Sequence, residues 1–495
     1  MSAARALDAA RALDAVRAAL ERDLAPGALV TDRAELGTYE CDGLAHLATV
    51  PALVVLARDA GEVRQAVAAC ASQGVPFVAR GAGTGLSGGA VPVADGVLVV
   101  TAKMRRILEV DVDNERCVVE PGVANLDITR ACATDGYYYA PDPSSQQVCS
   151  IGGNVAENSG GAHCLKHGFT TNHVTGLDLV TPDGEIVGLG GKALDSPGYD
   201  LVGAIVGSEG TLGVVTSVTV RLSRSPEAVY TLLAGFPDTD TAGAAVTAIV
   251  GAGLVPSAIE MMDELAIVAA EAAVDCHYPD GAGAVLIVEL DGPRADVEAG
   301  VAAVERCCVQ AGALELRHAR DDAERAQLWR GRKSAFAAVG RISPDYIVQD
   351  GVVPRTALPE VLRAIGSLSA AAGIRVANVF HAGDGNLHPL VLFDARVDGQ
   401  LDGAEKLSHA ILDLCLEHGG SITGEHGVGL DKRGSMGAMF TPEDLDTMQM
   451  LRCAFDPHGI CNPGKVFPTP RLCGEQPGRR GAAHPLVSAG LAELY

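Results

Sequence analysis

From residue 51 onward the chain alternates short apolar, β-branched runs with longer stretches in which apolar residues recur every three or four positions. PALVVLA (51–57) reads as a strand, DAGEVRQAVAACASQG (59–74) as a helix stopped by glycine, and VPFVAR (75–80) and GVLVVTA (96–102) as strands. Further strands are predicted in ERCVVEPG (115–122), in VTGLDLVTPDGEIVGL (174–189), where Pro182-Asp183-Gly184 marks a hairpin turn, and in TLGVVTSVTVRL (211–222). The pattern breaks at RSPEA (224–228). A second unit then repeats strand, helix, strand: VYTLLAGF (229–236), an Ala-rich helix ending near Gly251, AVLIVEL (284–290), a helix over 296–312, and later RVANVFHAG (375–383) with HPLVLF (388–393). Two β-α-β passes predict an antiparallel sheet covered by helices on one face. The fold class is therefore α+β. Its units are an N-terminal helical lead (1–40), a first domain (41–225), a second or cap domain (226–420), a C-terminal segment (421–467) and a loosely packed tail (468–495).

Composition narrows the chemistry. At 495 residues, two or three domains are expected, and 48% hydrophobic with 20% charged residues describes a folded, soluble protein. The formal charge of −24 repels nucleic acid and anionic lipid, and no basic run offsets it. The lead MSAARALDAARALDAVRAALERDL reads as a solvated amphipathic helix, not an export signal, and the most apolar segment (242–259) contains Pro256 and falls short of a transmembrane span. The thirteen cysteines have irregular spacing and no C-x-x-C, which predicts reduced, mostly buried thiols in a cytoplasmic protein. Contact with the inner face of the cytoplasmic membrane would be peripheral, through partners.

RGAGTGLSGG (80–89) contains G-x-G-x-x-G at Gly83, Gly85 and Gly88. A Rossmann loop must open a helix, whereas here Pro92, Asp95 and Gly96 lead into another strand, so the nicotinamide reading fails on context. What survives is a strand-to-strand loop able to turn successive backbone N–H groups toward a diphosphate. APDPSSQQVCSIGGNVAENSGG (140–161) and VGSEGTLGVVT (206–216) share its glycine-and-hydroxyl character, and three such loops in one domain imply close backbone approach to a long ligand.

HAGDGNLH sets His381 and His388 seven residues apart about a short loop between two strands, and GEHG supplies Glu425 and His426. If the strands pair, the imidazoles can converge on one cation. Two His nitrogens with a carboxylate suit Zn²⁺, and also Mn²⁺ or Fe²⁺, with a position left for substrate. LWRGRKSAF offers Arg330, Arg332 and Lys333 as donors for a carboxylate, and Asp350 and Asp384 are candidates for orienting the histidines or the backbone.

These segments together resemble the vanillyl-alcohol oxidase family of flavoenzymes (the PCMH type) from about residue 40 to 467. GRKSAFAAVGRISPDY and GEHGVG bring the likeness closest to the flavin subunits of bacterial glycolate oxidases, with D-lactate and D-2-hydroxyglutarate dehydrogenases sharing a sparser set. The resemblance implies a two-subdomain FAD-binding domain with a cap. By position it places Gly81, Ala82, Gly83, Thr84, Gly85, Leu86 and Ser87 at the diphosphate. Asp142, Ser145, Ser150, Gly153, Ser159, Glu209, Gly210, Gly213 and Asn462 would serve the rest of the cofactor. No His stands in the first loop, so FAD is expected to be non-covalent.

The same likeness assigns His381, His388 and Glu425 to a divalent metal, His426 to proton removal and Arg332 to the substrate carboxylate. It implies oxidation of a 2-hydroxy acid to a 2-oxo acid by hydride transfer to flavin N5. Where hydroxyglutarate-oxidising relatives have a Lys and an Asn, this chain has Val348 and Leu390. Both changes remove partners for a distal carboxylate and favour glycolate, giving glyoxylate, with D-lactate to pyruvate as the alternative. A flavoprotein without catalysis would have lost the His/Glu set or the Arg, and neither is lost. No cysteine cluster has iron–sulfur spacing, so a second flavin-type subunit and an iron–sulfur subunit are the implied electron partners.

Overall fold

The computed structural model describes residues 3–193 and 197–468; the expected tail lies outside the described residues apart from Pro468. Helix Ala3–Asp23 is not simply solvated. Val16 and Leu20 are buried with Val63, Ala66, Val67 and Cys70 of helix Ala60–Gln73, so the lead forms part of the first core. Helix Ala60–Gln73 starts where the Asp59 carboxylate accepts from Glu62 N–H at 2.9 Å and stops at Gly74, whose φ is 64°.

This helix connects Leu53–Leu56 to Phe77–Arg80 in a four-stranded sheet of order Leu29–Val30, Leu53–Leu56, Val97–Val100, Phe77–Arg80. The last three strands are parallel. The connection from Phe77–Arg80 to Val97–Val100 carries no helix, and residues 81–96 cross the end of the sheet as an open loop. A parallel pair joined without a helix exposes that loop's backbone to whatever lies beyond the strand ends. A second sheet of five antiparallel strands, Ile107–Asp111, Arg116–Val119, Val214–Arg221, Val174–Val180 and Ile186–Gly190, encloses a separate apolar centre of this half.

The cap is built on an eight-stranded antiparallel sheet. Its order is Glu315–His318, Ala228–Phe236, Ala284–Gly292, Ala258–Asp263, Val376–His381, Asn386–Phe393, Asp345–Val348, with Gly351–Val352 also paired to Asn386–Phe393. The unbroken apolar run in Ala284–Gly292 has a simple cause. Ala284, Leu286 and Val288 enter one core and Val285 and Ile287 the other, so both faces are buried.

Helices Thr239–Gly251, Arg294–Gln310, Leu358–Ala372 and Gln400–Glu417 cover one face, and Glu264–Ala273 and Asp322–Ala338 the other. The expectation of helices on one face only is thereby corrected, as is the reading that missed strand Ala258–Asp263. After helix Pro442–Phe455 the chain rejoins the first sheet: Phe77 N–H donates to Ile460 O at 2.9 Å and Asn462 N–H to Phe77 O at 2.8 Å.

No helix among the described residues is long and apolar enough to cross a membrane. Most described cysteines are buried free thiols, as expected, but Cys453 is disulfide-bonded.

Candidate active site

A cavity of about 420 Å³ runs between the two halves. One wall is backbone. Gly81, Ala82, Gly83, Thr84, Gly85 and Leu86 line it, facing Ser145, Ser150, Gly153 and Ser159 of the second loop and Glu209, Gly210 and Gly213 of the third. The three glycine-rich stretches therefore meet on one space. Ser150 ties the first two: its Oγ accepts from Ala82 N–H at 3.3 Å and from Gly153 N–H at 3.4 Å, capping helix Ile151–Glu157. A Cβ at Gly81 would strike that hydroxyl. Among the described residues the N–H groups of Gly83, Thr84, Gly85 and Leu86 donate to no protein acceptor, which leaves them for a ligand anion.

Three residues expected at the cofactor stand behind this wall. Ser87 is fully buried, its carbonyl accepting from Leu430 N–H at 2.9 Å and Asp431 N–H at 3.1 Å. Asn462 donates from Nδ2 to Glu209 O at 2.7 Å and Gly89 O at 3.0 Å. Asp142 is held by His163, Nδ1 to Oδ2 at 3.0 Å, while His163 Nε2 lies 3.2 Å from Glu289 Oε1. Burial disfavours the imidazolium, but the two carboxylates overcome it and raise His163 to about 10. Glu289 also accepts from Arg325, Trp329 Nε1 (2.7 Å) and Thr231 Oγ1 (2.7 Å), so this network ties the second loop to the cap.

The opposite wall carries Phe336, Tyr346, Val348 and His388 of the cap, with Glu425 and His426 of the C-terminal segment. Strand Val376–His381 pairs with Asn386–Phe393, with Val379 opposite His388. The turn is tighter than the expected loop, so His388 lies inside a strand and not at a loop end. The two imidazoles still converge. Glu425 Oε1 lies 3.4 Å from His381 Nε2 and 3.2 Å from His388 Nε2, and the three ligand atoms fall within 4.8 Å of one another. Glu425 Oε2 is buried without a partner. Two imidazole nitrogens facing a carboxylate with an idle oxygen form a donor set that fits a divalent cation.

Burial works against a charged His381, but Glu260 and Glu425 raise it to about 10; a bound cation would replace the proton they attract. Burial pushes His426 down to about 4, so it is a free base at neutral pH. Its ring stacks on His388 at 5.1 Å, and its Nδ1 has no partner.

Two buried carboxylates hold the loop that carries Glu425 and His426. Asp350, from the cap sheet, accepts through Oδ2 from Thr423 Oγ1 (2.6 Å) and from the N–H groups of Gly424 (2.9 Å), Glu425 (3.0 Å) and His426 (2.8 Å). Lys432 Nζ lies 3.4 Å from the same oxygen. Burial alone would raise Asp350, but His426, Lys432 and His388 packed beside it hold it well below the usual carboxylate range. On the other side Glu209 accepts from Val428 N–H and Gly429 N–H, each at 2.7 Å. Asp350 thus orients backbone, as its sequence position suggested. Asp384, beside His381, is pushed by burial up to about 6.

Arg332 is 2% exposed, which excludes a solvated helix face, while Arg330 is exposed. Its guanidinium stands behind Phe336, 5.5 Å from that ring, and pairs with Glu260 at 2.6 Å. Sequence reading missed Glu260, and it also missed Glu289 and Lys432. The available signal was a charge inside an apolar strand: AIEMMD for Glu260 and AVLIVEL for Glu289.

Comparison with known proteins agrees with this geometry. Residues 51–190 match the model described as FAD binding domain, and 225–466 match FAD linked oxidases, C-terminal domain. The chain is 51% identical over 456 residues to glycolate oxidase subunit GlcD of Escherichia coli strain K12, covering 92% of this chain and 91% of that one. It is 32% identical over 428 residues to a D-lactate dehydrogenase of Anaerostipes hadrus, covering 84% and 89%. The fold matches that of 4-ethylphenol oxidase from Gulosibacter chungangensis with a TM-score of 0.76 at 17% identity, over 95% of this chain and 98% of that one.

Proposed function

The chain belongs to the FAD-linked oxidases, and from that premise we propose that it oxidises a small 2-hydroxy acid, glycolate, to glyoxylate. The observation that carries the reading is the shared cavity. His388, Glu425 and His426 face the same space as the glycine-rich backbone wall, so substrate chemistry and cofactor meet across it.

The backbone N–H groups of residues 83–86 and the hydroxyls of Ser145 and Ser150 bind the non-covalent FAD, with Gly153, Ser159, Gly210 and Gly213 giving the flavin close approach. Asp142, Ser87 and Asn462 support this wall from behind, and Glu209, which lines it, holds the backbone of Val428 and Gly429. His381, His388 and Glu425 hold the divalent cation, with Zn²⁺ the best match to the donors and Mn²⁺ or Fe²⁺ also compatible. When bound, FAD takes up hydride at N5 and the cation lowers the pKa of the substrate hydroxyl.

His426 is neutral and receives the hydroxyl proton at Nε2, the ring nitrogen 3.9 Å from Glu425 Oε1. As the O–H proton leaves, the C2–H bond breaks with its electron pair and the C2–O bond becomes a carbonyl. Arg332 orients the substrate carboxylate; Glu260 engages its Nη2, and the rest of the guanidinium fork remains for the ligand. Val348 and Leu390 give no charge to a second carboxylate, which restricts the site to short acids.

Electrons leave to a second flavin-type subunit and an iron–sulfur subunit, and any membrane contact is peripheral through them. We assign 41–225 to the FAD domain, with the lead 1–40 packed onto it, 226–420 to the cap, and 421–467 to a segment returning to the cofactor.

The test is product analysis. Purified protein with an artificial electron acceptor and glycolate should yield glyoxylate, trapped as its phenylhydrazone, faster than D-lactate yields pyruvate. Faster pyruvate formation would assign the chain to the D-lactate reaction, and neither product would refute 2-hydroxy-acid oxidation.

A further inference from the structure

Glu260 sits in the middle of strand Ala258–Asp263, 1% exposed, with apolar Ile259 and Met261 on either side. A lone carboxylate at such a depth is strongly disfavoured unless it is paired. Its two oxygens have different partners. Oε1 lies 2.7 Å from His381 Nδ1, and Oε2 lies 2.6 Å from Arg332 Nη2. Strand register brings this about, because Glu260 is directly opposite His381 in the ladder. Arg332 reaches the same point from helix Asp322–Ala338, on the face of the sheet that Leu328 and Ala335 cover.

We propose that Glu260 is a positioning residue that braces a metal ligand and the substrate-carboxylate donor at once. The inference rests on the metal and Arg332 roles given above. With Oε1 accepting from Nδ1–H, His381 is fixed as the tautomer whose Nε2 lone pair faces Glu425 and His388. With Oε2 engaging Nη2, the Arg332 guanidinium is held against Phe336, whose ring lines the cavity. A carboxylate spreads its charge over both oxygens, so that Oε1 accepts from His381 while Oε2 pairs ionically with Nη2, whereas a neutral amide keeps one acceptor and no charge. Glu260→Gln can therefore serve His381 or Arg332 but not both. The arrangement couples two functions that need not share a residue: cation affinity and recognition of the acid.

The experiment uses full-length holoprotein carrying FAD. Divalent metal is removed by dialysis against chelator, and Zn²⁺ and Mn²⁺ affinities are measured by competition with a chromophoric chelator, without turnover. Binding of oxalate is then followed through the flavin spectrum of metal-loaded protein. Wild type should bind one equivalent of metal. E260Q should keep its FAD and bind that metal on the order of 10–100-fold more weakly, or bind oxalate at least about 10-fold more weakly, and E260A should lose both. Arg332→Met separates the two arms: it should weaken oxalate binding while metal affinity changes far less. Should E260A or E260Q fail to fold, E260D, which keeps both acceptors on a shorter stem, should still show weakened metal binding.

Wild-type protein that binds no divalent metal would overturn the metal reading itself. Wild type that binds metal, alongside E260Q with unchanged metal and oxalate affinities, would overturn the brace alone.

Discussion

Replacing Asp350 by Asn removes one charge and almost no volume, and its consequence can be worked out from four contacts. Oδ2 accepts from Thr423 Oγ1 and the N–H groups of Gly424, Glu425 and His426 at 2.6–3.0 Å. Hydrogen bonds to a charged group contribute about 1.5–3 kcal/mol each, against about 0.5–1.5 for neutral ones. Losing about 1 kcal/mol at each of four bonds gives about 4 kcal/mol, and Lys432, 1% exposed on its side chain, keeps a charge with no counter-charge at Oδ2. That figure agrees with the roughly 3–5 kcal/mol for breaking a buried pair. It is also a large part of the roughly 5–15 kcal/mol that holds a domain together. The backbone released is that of Glu425 and His426, and a displacement of about 1 Å there costs on the order of 100-fold in rate. The glycine wall is not touched, so FAD should remain bound. Denaturant unfolding and stopped-flow flavin reduction by glycolate under exclusion of oxygen measure both effects. D350N with stability within about 1 kcal/mol of wild type and reduction within about 3-fold would refute the argument.

Other predictions follow from single contacts. His163 is raised to about 10 by Asp142 and Glu289 against burial, whereas in the unfolded chain it titrates at ~6.5. Its stabilising charge is therefore fully present below about pH 6.5 and is lost as pH rises toward 10. Unfolding curves from pH 6 to 10 should show wild type losing stability more steeply than His163→Gln; parallel profiles would contradict this. Gly427 has φ 85°, and a Cβ there would run into the Glu157 carboxylate, so Gly427→Ala should cost about 2–4 kcal/mol in thermal unfolding and displace His426. Chelation should abolish flavin reduction while the flavin spectrum persists, and added Zn²⁺ or Mn²⁺ should restore it; full activity in protein shown metal-free by elemental analysis would remove the cation from the account.

What could be read from the chain follows physical locality. Strands such as Leu53–Leu56 and Val97–Val100 are legible because burial on both faces demands unbroken β-branched runs. The Rossmann reading of Gly83, Gly85 and Gly88 fails because Pro92 excludes a helix, and residues 81–96 do form a loop between parallel strands. His381, His388 and Glu425 are legible as donors because few chemistries use that set, and a hairpin brings the two histidines together.

Long-range pairing was not legible. Ala258–Asp263 escapes because its charges interrupt the apolar pattern, yet register sets Glu260 against His381. Asp142 carries the composition of a cofactor contact, but its partner His163 is sequestered with Glu289 from a strand 126 residues away from that histidine. A second covered face of the cap sheet is hidden because helix Asp322–Ala338 is rich in charge, and only the fold shows that Leu328, Trp329, Arg332 and Ala335 point inward.

The central claim is that glycolate reduces the bound flavin with His426 as the base. Its most direct test is a single-turnover measurement: protein with FAD and metal bound is mixed with glycolate under exclusion of oxygen, and the oxidised flavin absorbance is followed for wild type and His426→Ala. Wild type should bleach fully, and H426A, with unchanged FAD and metal content, should reduce on the order of 100–10,000-fold more slowly. Equal rates in the two proteins, or no bleaching of wild type by glycolate, would contradict it.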